Sequence, residues 1–312
     1  MPDPAPLATR AVERCASCGA TRFRSLAMRY EWEGATFPLI ECWSCGLRFL
    51  GVQPAPESLG RLYRAEYFES DYRCGRAAGS SFDEAALAAE DRGLLDRFDT
   101  FGARGRFLDV GCAAGWLVEH AAQRGWRAQG VELSESAARF ARERGLDVFH
   151  GELAAAGFPE GAFDLVYLGD VLEHVPDCRA ILAEVARVLK PGGHVYLRGP
   201  ITTNSLARAL GLTLFAWLGR PIVLREPPYH LWEFTPRSLR RLFETTGLRV
   251  TRLEQSKLPP GRAHGDKTPL ERAVMAAIDA VNVPLTRWFG ACGDRVTVIA
   301  RRPVQDPTLP RR

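Results

Sequence analysis

The stretch that most constrains this chain runs from Arg106 to Trp116, RFLDVGCAAGW. Phe107, Leu108 and Val110 are apolar and suit a buried strand, which Asp109 interrupts near its end. Gly111 to Gly115 are small residues that suit a tight turn, and glycines without a Cβ let backbone and ligand approach closely. Trp116, Leu117, Val118 and Ala121 then begin a helical spacing. Strand, small-residue loop and helix in that order form the opening βα unit of a nucleotide-binding sheet. The loop is not a dinucleotide fingerprint, whose G-x-G-x-x-G places a pyrophosphate on a helix N-terminus. Here the glycines are spaced G-x-x-x-G. Asp109, two residues before the first, is unhelpful beside a pyrophosphate and suits a ligand carrying a positive amino group.

S-adenosyl-L-methionine has an ammonium, a sulfonium and no phosphate. DVGCAAGW resembles motif I of the class I S-adenosylmethionine-dependent methyltransferases, whose usual form is D-x-G-C-G-x-G. Ala113 replaces the middle glycine. The resemblance implies a seven-stranded Rossmann-like α/β sheet, mostly parallel with the last strand antiparallel. It also implies that Asp109, Gly111, Cys112, Ala113 and Gly115 line the cofactor.

The N-terminal part carries Cys15-Ala-Ser-Cys18-Gly19 and Cys42-Trp-Ser-Cys45-Gly46. Two C-x-x-C-G knuckles at that separation are a strong zinc signal. Four thiolates give a closed tetrahedral site with no open position, so the zinc expected on Cys15, Cys18, Cys42 and Cys45 is structural. A redox pair is the rival, and the duplication argues against it. Between the knuckles, Phe23–Tyr30 and Thr36–Ile40 read as strands of a small ribbon. The run from Cys42 through Phe68 resembles the segment in bacterial methyltransferases that carry an N-terminal zinc-binding module. The expected organisation is a zinc-ribbon-like module at 10–52, a linker and helical lid segment at 53–104, and a methyltransferase domain at 105–303. A substrate insertion is expected at about 201–234. Tyr63, Tyr67 and Phe68, at the end of a helix expected from Glu57, suit either a pocket lid or interdomain packing.

Hydrophobic residues make up 46% and charged residues 25% of the chain, the balance of a soluble globular protein. The net charge of +4 is small for 312 residues and the arginines are scattered, which argues against nucleic acid. No run of about 18 apolar residues is present, so no spanning helix is expected. Eight cysteines without a visible secretory signal point to a reducing cytoplasm.

Beyond the loop, Arg127–Val131 reads as the second strand and Glu132 ends it. An acid there can accept hydrogen bonds from both ribose hydroxyls. Leu133 follows it, and Ser134 suits the N-cap of the next helix. After a third strand at Asp147–His150 come Glu152 and Leu153, a position that in the resembled family lies beside the adenine. Phe163–Leu168 is a strongly apolar fourth strand leading into Gly169-Asp170-Val-Leu-Glu173-His174-Val175. Ligands in open α/β sheets sit beyond the carboxyl ends of the strands. The resemblance therefore implies that backbone from Leu168 through Gly169 to Asp170 holds the methionine end. Cys178–Lys190 is amphipathic, and Lys190-Pro191-Gly192-Gly193 should turn it into a fifth strand at His194–Leu197.

Leu206–Leu218 is apolar with Arg208 and Arg220 near its ends. It is too short to span a bilayer. It reads first as a core or lid helix, and otherwise as a face for an amphipathic or lipid-linked substrate. His230, in the run PPYHLWEFTP, falls on the substrate side of the crevice. Its type titrates near neutrality, as a general base requires. His174 is the second candidate base, with loop orientation as its other role. A late helix at Pro236–Thr246, a strand at Leu248–Leu253, a long helix at Leu270–Phe289 and a final strand at Arg295–Ala300 complete the pattern.

The activity expected is methyl transfer from S-adenosyl-L-methionine to oxygen or carbon of a small molecule. A sugar, polysaccharide or natural-product acceptor comes first, with a sugar nucleotide or a lipid-linked compound as its form. A lipid-linked or quinone-like acceptor is the alternative. A third reading is a zinc-ribbon interaction protein whose methyltransferase domain is idle.

Overall fold

A computed structural model describes residues 7–62, 84–257 and 269–304. The N-terminal strands are β1 (Thr9–Ala11), β2 (Phe23–Trp32), β3 (Ala35–Cys42), β4 (Arg48–Leu50) and β5 (Val52–Pro54). A single helical turn, α1 (Leu59–Leu62), follows, and then α2 (Glu84–Asp99). Next come β6 (Arg106–Val110), α3 (Trp116–Gln123), β7 (Arg127–Glu132), α4 (Glu135–Glu143), β8 (Val148–His150), β9 (Phe163–Gly169), α5 (Cys178–Val188) and β10 (Leu189–Pro200). The chain continues through α6 (Leu206–Trp217), β11 (Ile222–Leu224), β12 (Trp232–Glu233), α7 (Pro236–Thr245), β13 (Arg249–Ser256), α8 (Pro269–Phe289) and β14 (Arg295–Arg301).

The large sheet has seven strands in the order β13-β14-β10-β9-β6-β7-β8. β10, β9, β6, β7 and β8 are parallel, and β14 runs antiparallel to both of its neighbours. This is the expected α/β sheet with its last strand reversed. β6 and β9 are apolar along nearly their whole length because helices cover both faces. Phe98 of α2 packs on one face, its ring centroid 5.6, 5.8 and 5.3 Å from those of Phe107, Tyr167 and Tyr196. Helix starts follow local chemistry. Ser134 Oγ accepts from Ala137 N–H at the head of α4. Thr235 and Ser238 form a capping box at the head of α7, with Pro236 in its first turn.

The second sheet departs from an isolated ribbon. It has five strands in the order β11-β2-β3-β4-β12, so two of its members come from the stretch after β10. β12 pairs with β4 through Trp232 and Phe49, and β11 runs parallel to β2. Phe37, Leu39, Leu47 and Phe49 share one buried cluster with Leu108, Val166, Leu168 and Leu231.

Other expectations shift. α5 ends at Val188, and Leu189–Pro200 is one strand with an irregularity between Leu189 and His194. Of the helix expected from Glu57, only α1 lies within the described residues; Tyr63, Tyr67 and Phe68 lie outside them. The core reading of 206–218 is overturned. Leu212 is the buried residue of α6, while Leu210, Leu214, Phe215, Trp217 and Leu218 are exposed, Trp217 at 79%.

Candidate functional site

The carboxyl ends of β6, β7, β8, β9 and β10 open on one crevice. A pocket there is lined by Asp109, Gly111, Cys112, Ala113 and Gly169, together with Leu87, Asp91, Trp116 and Tyr167. The backbone explains the small residues. Gly111 has φ 74°, and a Cβ on it would stand 2.5 Å from Val171 Cγ2. Ala113 is also left-handed, at φ 49°. Gly115 serves packing, since its Cβ would meet Leu146 at 2.8 Å and Ala141 at 3.1 Å.

Glu132 stands at the end of β7 and is buried. Its Oε2 accepts from Ala113 N–H at 2.8 Å and its Oε1 from Ser134 N–H at 2.7 Å. The acid therefore ties the glycine loop to the neighbouring strand end. Leu133 beside it is exposed, as is Glu152, while Leu153 is buried. The Leu168 side chain lies in the core, so only its backbone faces the crevice edge. Gly115, Glu132, Leu133, Glu152, Leu153, Leu168 and Asp170 are not among the residues that line the pocket.

Sequence reasoning missed Asp91 and Arg295. Asp91 reaches the pocket from α2 and lies 2.7 Å from His120 Nδ1. Arg295, at the start of β14, grips the Asp170 carboxylate with two bonds of 2.5 and 2.8 Å. Both pairs join residues far apart in the chain, and no local pattern announces them.

The two candidate histidines meet. The loop after β9 carries Glu173 and His174, and the loop before β12 carries His230. Leu231 N–H and Trp232 N–H donate to the Glu173 carbonyl at 2.9 and 3.3 Å, and Trp232 Nε1 donates to the Val175 carbonyl at 2.7 Å. The imidazole centroids of His174 and His230 are 5.0 Å apart. His174 Nδ1 is 2.9 Å from the Tyr229 carbonyl, and its Nε2 is 3.7 Å from Glu173 Oε1. His230 Nδ1 is 3.4 Å from Glu233 Oε1, and Glu233 Oε2 accepts from the Thr202 hydroxyl at 2.8 Å.

Burial dominates the electrostatics. It pushes the Glu173 carboxyl up to about 7, with the Asp170 charge acting in the same direction. Burial, and then the charge of His230, push His174 down to about 3. Burial also opposes charge on His230, but the hydrogen bond and charge of Glu233 outweigh it and hold His230 above the ordinary imidazole value. Glu233 is correspondingly held low, against its own burial, by His230.

The four N-terminal cysteines converge as well. Cys15 and Cys45 sulfurs are 3.4 Å apart, Cys18 and Cys42 sulfurs 3.6 Å, and all four lie within 4.8 Å of one another. Zinc–sulfur bonds of about 2.3 Å give a tetrahedron with edges of about 3.8 Å, so the donor set fits that ion. Gly19 N–H closes on the Cys15 carbonyl and Gly46 N–H on the Cys42 carbonyl, at 2.8 and 2.9 Å. Both glycines are left-handed, at φ 75° and 74°. The knuckles are gripped from the large-sheet side: Arg179 of α5 bonds the carbonyls of Ala16 and Ser17, and Arg237 of α7 bonds that of Ser44.

Sheet order, glycine loop and crevice define an S-adenosylmethionine-dependent methyltransferase fold. Residues 82–253 match the family described as a methyltransferase domain, and the chain belongs to that family. Among curated relatives, the ubiquinone biosynthesis O-methyltransferase of Methylococcus capsulatus is 34% identical over 158 residues, 47% of this chain and 64% of that protein. The protein of the same name from Ralstonia nicotianae is 32% identical over 166 residues, 50% of this chain and 67% of its own length. The match to the first thus spans less than two thirds of that relative. Among solved structures, the [4+2]-cyclase SpnF is similar with a TM-score of 0.50 at 19% identity, over 81% of this chain and 98% of that one. That likeness concerns the fold alone. Among the described residues no helix is long and apolar enough to cross a membrane.

Proposed function

We propose that the protein transfers a methyl group from S-adenosyl-L-methionine to a hydroxyl oxygen of a quinone-like, lipid-linked aromatic acceptor. In this reading Asp109, Gly111, Cys112, Ala113 and Gly115 receive the methionine end and Glu132 and Leu133 the ribose and its surroundings. Glu152 and Leu153 flank the adenine, and the backbone from Leu168 through Gly169 to Asp170 closes the crevice. The sulfonium is already a good leaving group, so catalysis is mostly alignment plus loss of the acceptor proton. The acceptor oxygen attacks the methyl carbon, the carbon–sulfur bond breaks, and S-adenosylhomocysteine departs with the bonding pair. The proton leaves at the His174 and His230 cluster. Zinc on the four cysteines holds structure and takes no part in the transfer.

The observation that carries the choice of acceptor is the outward apolar face of α6. Leu210, Leu214, Phe215 and Trp217 stand exposed on a helix whose first turn adjoins the acceptor loop. Arg208 of that turn reaches Met28 at 3.9 Å, and its charge is felt at Glu233. An isoprenoid tail can lie along such a face, whereas a sugar nucleotide gains nothing from it. The names of the curated relatives support the same class. The test supplies labelled S-adenosylmethionine with prenylated hydroxy-aromatic acceptors and, separately, with sugar nucleotides. Label on the aromatic oxygen, reduced in Trp217→Ser, is expected. Label on the sugar alone contradicts the acceptor class.

A further inference from the structure

We propose that Glu173, His174 and His230 bind a divalent transition-metal cation on the acceptor side of the crevice. The proposal deepens the methyl-transfer reading, on which its catalytic consequence rests; the binding itself does not depend on it.

The first observation is convergence. One ring nitrogen of each histidine and one Glu173 carboxylate oxygen lie within 4.8 Å of one another. The three side chains come from two loops laced together by main-chain bonds to the Glu173 carbonyl, so their meeting is built into the backbone.

The second is the way each imidazole is held. Nδ1 of His174 faces the Tyr229 carbonyl, which can only accept, so Nδ1 carries the hydrogen and Nε2 the lone pair. Nδ1 of His230 faces the Glu233 carboxylate, which assigns the same tautomer. Histidines that ligate metals are oriented this way, one ring nitrogen donating to a carbonyl or carboxylate while the other meets the ion. Glu233 is itself fixed by the Thr202 hydroxyl.

The third is the state of the Glu173 carboxylate. Glu173 Oε1 is buried and accepts no hydrogen bond among the described residues. His174 Nε2 lies 3.7 Å from it. In the tautomer set by Tyr229 that nitrogen has no proton to give. Two lone pairs therefore face each other in a buried place, an arrangement that is relieved when a proton or a metal cation comes between them. The nearby guanidinium of Arg295 is engaged with the Asp170 carboxylate.

Two imidazole nitrogens and one carboxylate oxygen suit Mn²⁺, Fe²⁺, Co²⁺ or Zn²⁺ and leave coordination positions open. This contrasts with the four cysteines, whose set is complete. A cation here accepts the acceptor hydroxyl at an open position and lowers its pKa, easing proton loss to solvent before the oxygen takes the methyl group. His230 then acts by holding the ion rather than as a free base.

The experiment uses full-length protein with zinc already on its cysteines, titrated with Co²⁺ and followed by visible absorption and by metal analysis after desalting. One Co²⁺ per chain is expected, with ligand-field bands and no added thiolate charge-transfer band. His230→Asn and Glu173→Gln should each weaken uptake by at least about tenfold, and Glu233→Gln by about 10–100-fold as a supporting partner. Circular dichroism and thermal unfolding report whether each variant is folded, and calorimetric binding of S-adenosylmethionine on the same samples tests the methyl-transfer reading separately. No Co²⁺ beyond the cysteine site, or uptake equal in wild type and in folded variants, overturns the proposal. If Co²⁺ binds as expected but S-adenosylmethionine does not, the site stands and the methyl-transfer reading falls.

Discussion

Ala113 sits at φ 49° in the loop proposed to receive the cofactor, a conformation that costs a residue with a Cβ roughly 1–2 kcal/mol. Its amide is held there by Glu132 Oε2 at 2.8 Å. Glycine removes the steric cost but adds about 0.5–1 kcal/mol of unfolded-chain entropy. Ala113→Gly is therefore expected to be neutral or to stabilise the protein by up to ~1 kcal/mol, read from denaturant unfolding with and without S-adenosylmethionine. A loss of more than about 1 kcal/mol contradicts the left-handed assignment. At this scale the sequence spoke clearly where chemistry is local. Asp109, Gly111 and the cysteine knuckles are legible because each turn needs its residue type at its own position. Asp91, Arg295 and the orphaned oxygen of Glu173 were not legible. Their meaning depends on burial and on partners far along the chain, which no spacing encodes.

At the scale of elements, the strands of the large sheet were readable from their apolar runs, and α7 from its Thr-Pro start. β11 and β12 were not. They are short, they pair with strands from the other end of the chain, and such edges are set by tertiary contact rather than by propensity. β12 matters most, because His230 stands two residues before it and β4 leads directly out of the second knuckle. Zinc held by the four cysteines would therefore bear on the loop that carries His230 as well as on its own turns. Cys18→Ser is expected to lose zinc by metal analysis and to lower acceptor turnover while S-adenosylmethionine affinity is kept. Loss of zinc with unchanged turnover contradicts a link through β4 and β12. The core reading of α6 failed for the opposite reason: an apolar run says that a face seeks an apolar partner, and it does not say that the partner lies in the same chain.

For the whole molecule, two sheets share one buried cluster, and the chain crosses between them three times. In the proposed reading the cofactor side belongs to the large sheet, and the acceptor side lies where the small sheet is completed by β12. That reading divides the labour: the crevice takes the methyl donor, and the seam between the sheets takes the acceptor. Everything at the seam presupposes that the crevice takes a cationic sulfur compound through Asp109, Glu132 and bare backbone. Calorimetric titration of the full-length protein with S-adenosylmethionine tests this most directly. The account predicts saturable one-to-one binding, weakened about tenfold or more in Glu132→Ala as a charge-assisted bond of ~1.5–3 kcal/mol is lost. It also predicts no binding of a nicotinamide dinucleotide. Uptake of the dinucleotide with no heat from S-adenosylmethionine would contradict it.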